Sequence, residues 1–500
     1  MVKIDPVVET KLGKIKGIQK QSHQEYLGIR YAKPPIKELR FQVPHPVAPW
    51  EEIYEATKYG PIAPQAWDDN PPISMKESED CLFLNIYTPN ADGKKRPVMV
   101  YIHGGGFSIG TGSRGRLYGG NLAKHGEMVV VTIQYRLGVL GFLYIDNISP
   151  NLGLQDQLCA LRWIKNNISV FGGDPDNITI FGQSAGGASV SYLLIMPQAK
   201  GLFHKAIAQS GAISLKTLQM GNSYNNSREL LKRVNISPGN LDALQKISLN
   251  KLLSVHKKMT GGSILSEKLF FPVLDGTVIP ENVYEAMRTG FAKDIPFLLG
   301  FNEDEFPIFA SYLKSKKIQQ FFVKSFINRI LQKFGLSKSL IKNLLSDYRK
   351  ELKKKDYISN QEYDQVISDV VFRIPITKQA EAHSESNANT YFYIFTYKAP
   401  NLNAAVHVLE LFFVFGTIET SDVSKEMKLI NSLEERKLSK LMMDTWIQFA
   451  RYGNPNQPNL PEWPVYNLSE RATMVLNTSP KVVNGSMKVE REIWEKNGLF

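Results

Sequence analysis

Cysteine is scarce in this 500-residue chain: Cys81 and Cys159 are the only two, and they stand far apart. A small scaffold stapled by disulfides is therefore excluded. Long apolar runs are missing as well, since charged residues or prolines interrupt every hydrophobic segment before the ~18 residues that a membrane-spanning helix needs. The opening stretch MVKIDPVVETKLG has no apolar core followed by a small-residue cleavage site, so it does not read as a secretory leader. These absences lead us to expect a soluble, reduced, cytoplasmic protein with no stable membrane association. The sequence also lacks internal repeats, low-complexity tracts, a P-loop lysine motif and an H-E-x-x-H pair, and neither a cofactor nor a metal is expected.

What is present is an ordinary globular composition, with 43% hydrophobic, 11% aromatic and 22% charged residues. The net charge of +12 could suggest a nucleic-acid partner, but its distribution argues otherwise. Residues 311–356 hold thirteen Lys or Arg against Asp347, Glu351 and Asp356, so +10 lies in that one segment. There Ile318, Phe322, Phe326, Ile330 and Phe334 recur every four residues, and Leu340, Ile341, Leu344, Leu345, Tyr348 and Leu352 form a second stripe. The pattern predicts two amphipathic helices with lysines outward, a helical cap with a solvated basic surface. No nucleic-acid contact is expected from it.

Six apolar runs read as strands: 97–103, 128–135, 177–182, 205–210, 295–301 and 390–395. Several are apolar throughout and do not alternate, as strands covered on both faces are. Between them lie helical patterns such as 152–168, where Leu154, Leu158, Leu161 and Ile164 share a face. Alternating strands and helices predict an α/β fold with a doubly wound, mostly parallel sheet.

Within ITIFGQSAGGAS, residues 178–189, Ser184 stands between two glycines after a strand and before a run of small residues. This is the setting of a nucleophile elbow, a tight strand-to-helix turn that projects the serine. A hydroxyl is a poor nucleophile until a base removes its proton, and that base needs a carboxylate to orient it. With the order serine, acid, histidine, the candidates after Ser184 are His204, His256, His383 and His407. An acid following the 295–301 strand leaves His383 and His407. His383 sits in AEAHSES at the polar end of a predicted helix, and His407 in a loop running into an aromatic segment. FLLGFNEDEF offers Glu303, Asp304 and Glu305, among which spacing does not choose. Gly104, Gly105 and Gly106 in YIHGGGFSIG follow a strand and could bring bare backbone amides to a developing oxyanion. GTGSRG, residues 110–115, matches the dinucleotide-binding pattern G-x-G-x-x-G, but it lies several residues past its strand and lacks the acidic residue about 20 positions on.

Taken together, these stretches resemble the type B carboxylesterase and cholinesterase family, its bacterial para-nitrobenzyl esterase-like members above all. EDCLFLNIYTP (79–89) and FGGDPDNITIFGQSAGG (171–187) look like the two family signatures. YRLGVLGFL, LGLQDQLCALRWI, LFHKAIAQSG and HVLELFFVFG are similar too, so the likeness runs from Val7 to Trp494. The resemblance implies an α/β-hydrolase fold occupying 1–500 as one domain, with 311–356 as a cap within it. It also implies a serine carboxylic-ester hydrolase that works through an acyl-enzyme on small to medium, mainly uncharged esters, as a monomer or weak oligomer. Carried over position by position, it makes Ser184 the nucleophile, Glu305 the acid and His407 the base, with the amides of Gly105, Gly106 and Ala185 as the oxyanion hole.

Four positions depart from the family pattern. Gln183 stands where a glutamate usually precedes the serine, and Phe306 replaces the glycine of D-E-G. Cys81 corresponds to a disulfide cysteine of secreted relatives, but no second cysteine lies nearby. The loop from Gln65 to Cys81 is short, and Trp67 is out of register with the choline-binding tryptophan. Choline esters are accordingly not the expected substrates.

Overall fold

The computed structural model describes residues 5–66, 75–113, 115–145, 148–213, 220–262, 266, 269–306, 324–325, 327–332, 335–353, 361–400, 402–420, 427 and 429–498. Trp67 and most of the first amphipathic stripe, including Ile318, Phe322, Phe326 and Phe334, lie outside them.

The strands are β1 (Val7–Thr10), β2 (Gly13–Lys16), β3 (Ile18–Gln19), β4 (Gln24–Arg30), β5 (Tyr54–Glu55), β6 (Phe83–Thr88), β7 (Arg96–Ile102), β8 (Val129–Ile133), β9 (Gly173–Gln183), β10 (Lys205–Gln209), β11 (Phe297–Asn302), β12 (Thr390–Phe395), β13 (Thr473–Leu476) and β14 (Lys481–Val483). β1, β2 and β5 form a small sheet, and the other eleven form one large sheet in the order β14-β13-β12-β11-β10-β9-β7-β8-β6-β4-β3. From β8 across to β13 every pairing is parallel; β4, β6 and β14 pair antiparallel and form the flanks. All six apolar runs are strands of this sheet.

The helices that bear on the site are α1 (Leu152–Asn167), α2 (Ala185–Ile195), α3 (Lys338–Leu352), α4 (Gln361–Ser368), α5 (Ile374–Ser384), α6 (Leu409–Val414), α7 (Leu433–Tyr452) and α8 (Lys488–Lys496). Strand β7 shows why the sheet needs cover on both sides. Val98, Val100 and Ile102 belong to one core with Leu154, Leu158 and Leu161 of α1, whereas Met99 and Tyr101 belong to another with Phe412 of α6 and Trp446 of α7. Alternate side chains thus enter two separate cores. A third cluster joins Ile341, Leu344, Leu345 and Tyr348 of α3 to Val366 and Ile367 of α4 and Trp494 of α8. The apolar stripe of α3 is therefore already buried within the protein.

Parallel registry lines up the carboxyl ends of the central strands: Ile102 lies beside Gly182, Gln183 beside Gln209, and Gln209 beside Gly300. The loops that leave this edge carry every candidate site residue, as open parallel sheets place their ligand sites.

Candidate active site

Ser184 joins β9 to α2 with φ 58° and ψ −126°, a conformation that costs a non-glycine residue about 1–3 kcal/mol. The flanking glycines make this turn possible. A methyl group at Gly182 would sit 2.4 Å from the Gly186 carbonyl carbon, and one at Gly186 would sit 2.0 Å from the Ile102 oxygen. The strained residue is held at both ends: its amide donates to Gln209 O at 2.8 Å and its carbonyl accepts from Ala188 N at 2.9 Å. The side chain stands half-buried at the carboxyl edge of the sheet.

The loop after β11 supplies the carboxylate. Glu305, 2% exposed, places Oε2 2.5 Å from His407 Nδ1, and its Oε1 accepts from the Asn302 amide at 2.8 Å. Its two neighbours have other partners. Asp304 accepts from Ala405 N at 2.9 Å and donates its own amide to Ala405 O at 3.1 Å, which ties the acid loop to the histidine loop. Glu303 points toward Lys398, 3.7 Å away, with 46% of its side chain exposed. Among the three acids of this loop, Glu305 is the one that meets a histidine ring.

Among the described residues, none of the other candidate histidines is bonded to an acid of this loop. His383 does stand in the last turn of α5, but fully buried and not at a polar surface, bonded to Thr390 Oγ1 at 2.7 Å and facing Ala292 O at 3.2 Å. Burial pushes its ionisation down to about 4, as it does for His256. His204 accepts from Ile178 N at 3.1 Å.

Among the described residues no hydrogen bond joins Ser184 Oγ to His407. The ring's Nε2 is faced instead by the Gln183 amide nitrogen at 3.2 Å. With Nδ1–H donating to Glu305, Nε2 carries the lone pair, and the Gln183 amide can donate to it. The residue that departs from the family pattern thus touches the ring itself.

The three glycines form the opposite wall. A methyl at Gly104 would sit 2.4 Å from Gln183 O and 3.0 Å from Ser184 Cβ, so this loop lies directly against the elbow. Gly105 at φ +119° has Ile109 O 2.2 Å from where its Cβ would be. Among the described residues none of the amides of Gly105, Gly106 and Ala185 donates to a backbone carbonyl. Ala185 opens α2, where the first amides have no intrahelical partner. The G-x-G-x-x-G match has a packing role: Gly110 is clamped through both backbone groups by Gln65, at 2.9 and 3.0 Å.

Three residues at the site carry no readable sequence motif. Glu410 is fully buried behind Glu305, accepting from Asn302 Nδ2 at 2.6 Å and Gln209 Nε2 at 3.3 Å. Burial, with the charge of Glu305 added, pushes its carboxyl up to about 7. Asn302 spans the two, since its backbone amide bonds Glu305 and its side chain bonds Glu410 and Val406 O. Phe372 lies against His407, ring centroids 4.6 Å apart, and Phe306 packs on Phe372 in turn.

A parallel sheet with a strained serine elbow at its carboxyl edge, and a histidine–glutamate pair on the loops beyond, defines an α/β-hydrolase. Comparison with known proteins narrows the class. The model of the carboxylesterase family matches residues 4–494. Para-nitrobenzyl esterase of Bacillus subtilis (strain 168) is 37% identical, over 97% of this chain and 98% of that one. Carboxylesterase 1C of Rattus norvegicus is 35% identical, over 93% of this chain and 88% of that one. Among solved structures, a carboxylesterase of Geobacillus stearothermophilus superposes with TM-score 0.85 at 36% identity, covering 98% of this chain and 99% of that one. A thermophilic para-nitrobenzyl esterase gives 0.86 at 33% identity, covering 98% and 100%. The chain belongs to the carboxylesterase family and is a serine hydrolase of carboxylic esters. Among the described residues no helix is long and apolar enough to cross a membrane, and no group of three or more metal-ligating side chains is gathered.

Proposed function

We propose that Ser184 attacks the ester carbonyl while His407, oriented by Glu305, takes its proton. The amides of Gly105, Gly106 and Ala185 then receive the negative oxygen. The imidazolium returns the proton to the departing alcohol, and water repeats the attack on the acyl-enzyme. The observation that carries this reading is the 2.5 Å contact between Glu305 and His407 beside the strained Ser184 turn. Favoured substrates are small to medium uncharged esters, a preference supported by the neutral Gln183 amide against the His407 ring. The whole chain acts as one domain with 311–356 as its cap, and burial of the α3 stripe supports a structural cap over a lipid-docking one. Two buried, unpaired cysteines support a reducing, cytoplasmic setting, and the protein works as a monomer or weak oligomer.

Steady-state hydrolysis of nitrophenyl esters from C2 to C12 tests the roles. Ser184→Ala and His407→Ala are each expected to lower kcat on the order of 10⁴- to 10⁶-fold. Glu305→Gln should cost far more than Glu303→Gln or Asp304→Asn. Near-normal turnover in a folded Ser184→Ala or His407→Ala protein, or Asp304→Asn as the crippling acid change, contradicts the assignment.

A further inference from the structure

Phe372 belongs to a single wide turn, Asp369–Arg373, in which the chain hydrogen-bonds in π-helical fashion between α4 and α5. Such a turn inserts one residue and swings its side chains off the register of the flanking helices, an arrangement frequent at functional sites. This one is pinned firmly. Arg373 pairs with Asp369 at 2.5 Å, donates to the backbone and side-chain oxygens of Gln365 at 3.0 and 2.8 Å, and reaches Glu303 O at 3.4 Å. Tyr348 and Trp494 donate to Asp369 from α3 and α8.

The consequence is a ring fixed in an unusual place. Phe372 packs against the main core on one side and the α3–α4–α8 cluster on the other. Its centroid lies 4.6 Å from that of His407 with the planes 34° apart, and Phe306 supports it from behind at 5.6 Å. Neither Phe372 nor His407 is enclosed, since both remain half-buried.

We infer that Phe372 is the residue that selects the alcohol half of the ester. The two halves of the ester go to different places. The acyl carbon becomes bonded to Ser184 and stays there, whereas the alcohol oxygen must come within about 2.6–3.2 Å of His407 to receive its proton. The group carried by that oxygen passes the histidine, and an aromatic ring lying on the histidine meets it. A flat apolar or aryl alcohol gains offset or edge contact with the ring, typically about 0.5–1.5 kcal/mol for an aromatic pair, equivalent to a few-fold to tenfold in rate. A methyl or ethyl alcohol is too small to gain it.

The inference rests on the roles proposed for Ser184 and His407, and its test separates the two. The values of kcat/KM are measured for phenyl, 1-naphthyl and ethyl acetate, which share one acyl group, and for nitrophenyl acetate, butyrate and octanoate, which share one alcohol. In Phe372→Ala and Phe372→Leu the aryl-to-ethyl ratio is expected to fall about three- to tenfold against the unsubstituted protein, while the acyl-chain profile keeps its shape. The leucine variant preserves apolar volume and carries the test if the alanine variant fails to fold. An unchanged aryl-to-ethyl ratio in an active Phe372→Leu protein, or a shift in the acyl series in its place, overturns the inference and leaves the Ser184 and His407 roles intact. Persistent turnover in Ser184→Ala removes those roles themselves.

Discussion

Gln183 stands one position before the elbow serine, buried to 3% exposure, with its amide nitrogen 3.2 Å from His407 Nε2. A carboxylate there would put negative charge against the ring; at about 4 Å and an effective dielectric near 20, such an interaction is worth up to about 4 kcal/mol, less where water enters. Gln183→Glu is therefore expected to favour the imidazolium and move the acid limb of kcat/KM to higher pH. It should also improve discrimination for a choline ester over its neutral isostere. Profiles for both substrates from pH 5 to 9, at low and high salt, check this, since screening should shrink the gain. Unmoved limb and unmoved discrimination contradict it. At this scale Ser184 and Gly104–Gly106 were legible because their conformations demand particular residue types at fixed spacing. The candidate acid was not, because Glu303, Asp304 and Glu305 are chemically alike until the Ala405 amide occupies the Asp304 carboxylate and the fold sets buried Glu305 against His407. Phe372 and Glu410 were illegible for a different reason: an aromatic or an acid within an apolar stretch reads as core or surface until tertiary packing sets it beside a histidine.

At the scale of elements, the turn from β9 to α2 depends on backbone crowding that no side chain can share. Gly186→Ala places a methyl 2.0 Å from Ile102 O, a rigid strand carbonyl, so something in the sheet edge or the helix must move. A loss of about 3 kcal/mol or more is expected, at or beyond the upper end of usual overpacking costs. Gly115→Ala, where a methyl meets nothing within 4 Å, serves as the control and should change the midpoint of thermal unfolding little. Equal stability of the two variants contradicts the crowded-elbow account. The central strands were readable because β7, β8, β10 and β11 are buried along their whole length and so are largely apolar. The flanks were harder. β3 and β14 at the edges of the large sheet, like β5 in the small sheet, span two to three residues, too short to show a period. The π turn at Asp369–Arg373 breaks the helical period where it would have signalled Phe372. Of the two predicted cap helices, the second is present as α3, with Ile341, Leu344, Leu345 and Tyr348 buried.

For the molecule as a whole, the buried network behind the site makes stability depend on pH. Glu410 has its ionisation raised from the ordinary 4.5 to about 7, chiefly by burial. The folded state therefore keeps a proton that the unfolded chain releases. The stabilisation is fully present below about pH 4.5 and is lost as pH rises through about 7, a term on the order of 3 kcal/mol at 1.36 kcal/mol per unit. Thermal unfolding from pH 5 to 8 should show the unsubstituted protein losing stability more steeply than Glu410→Gln; parallel curves contradict the assignment. The claim on which the rest depends is that one serine, held at a strained turn, becomes covalently acylated. Its most direct test is intact-mass measurement after reaction with a dialkyl phosphoryl fluoride, followed by peptide mapping. One adduct per chain is expected, on the peptide bearing Ser184, with activity lost in proportion and no adduct formed in Ser184→Ala. Stoichiometric labelling elsewhere, or full activity in a chain labelled at Ser184, would contradict it.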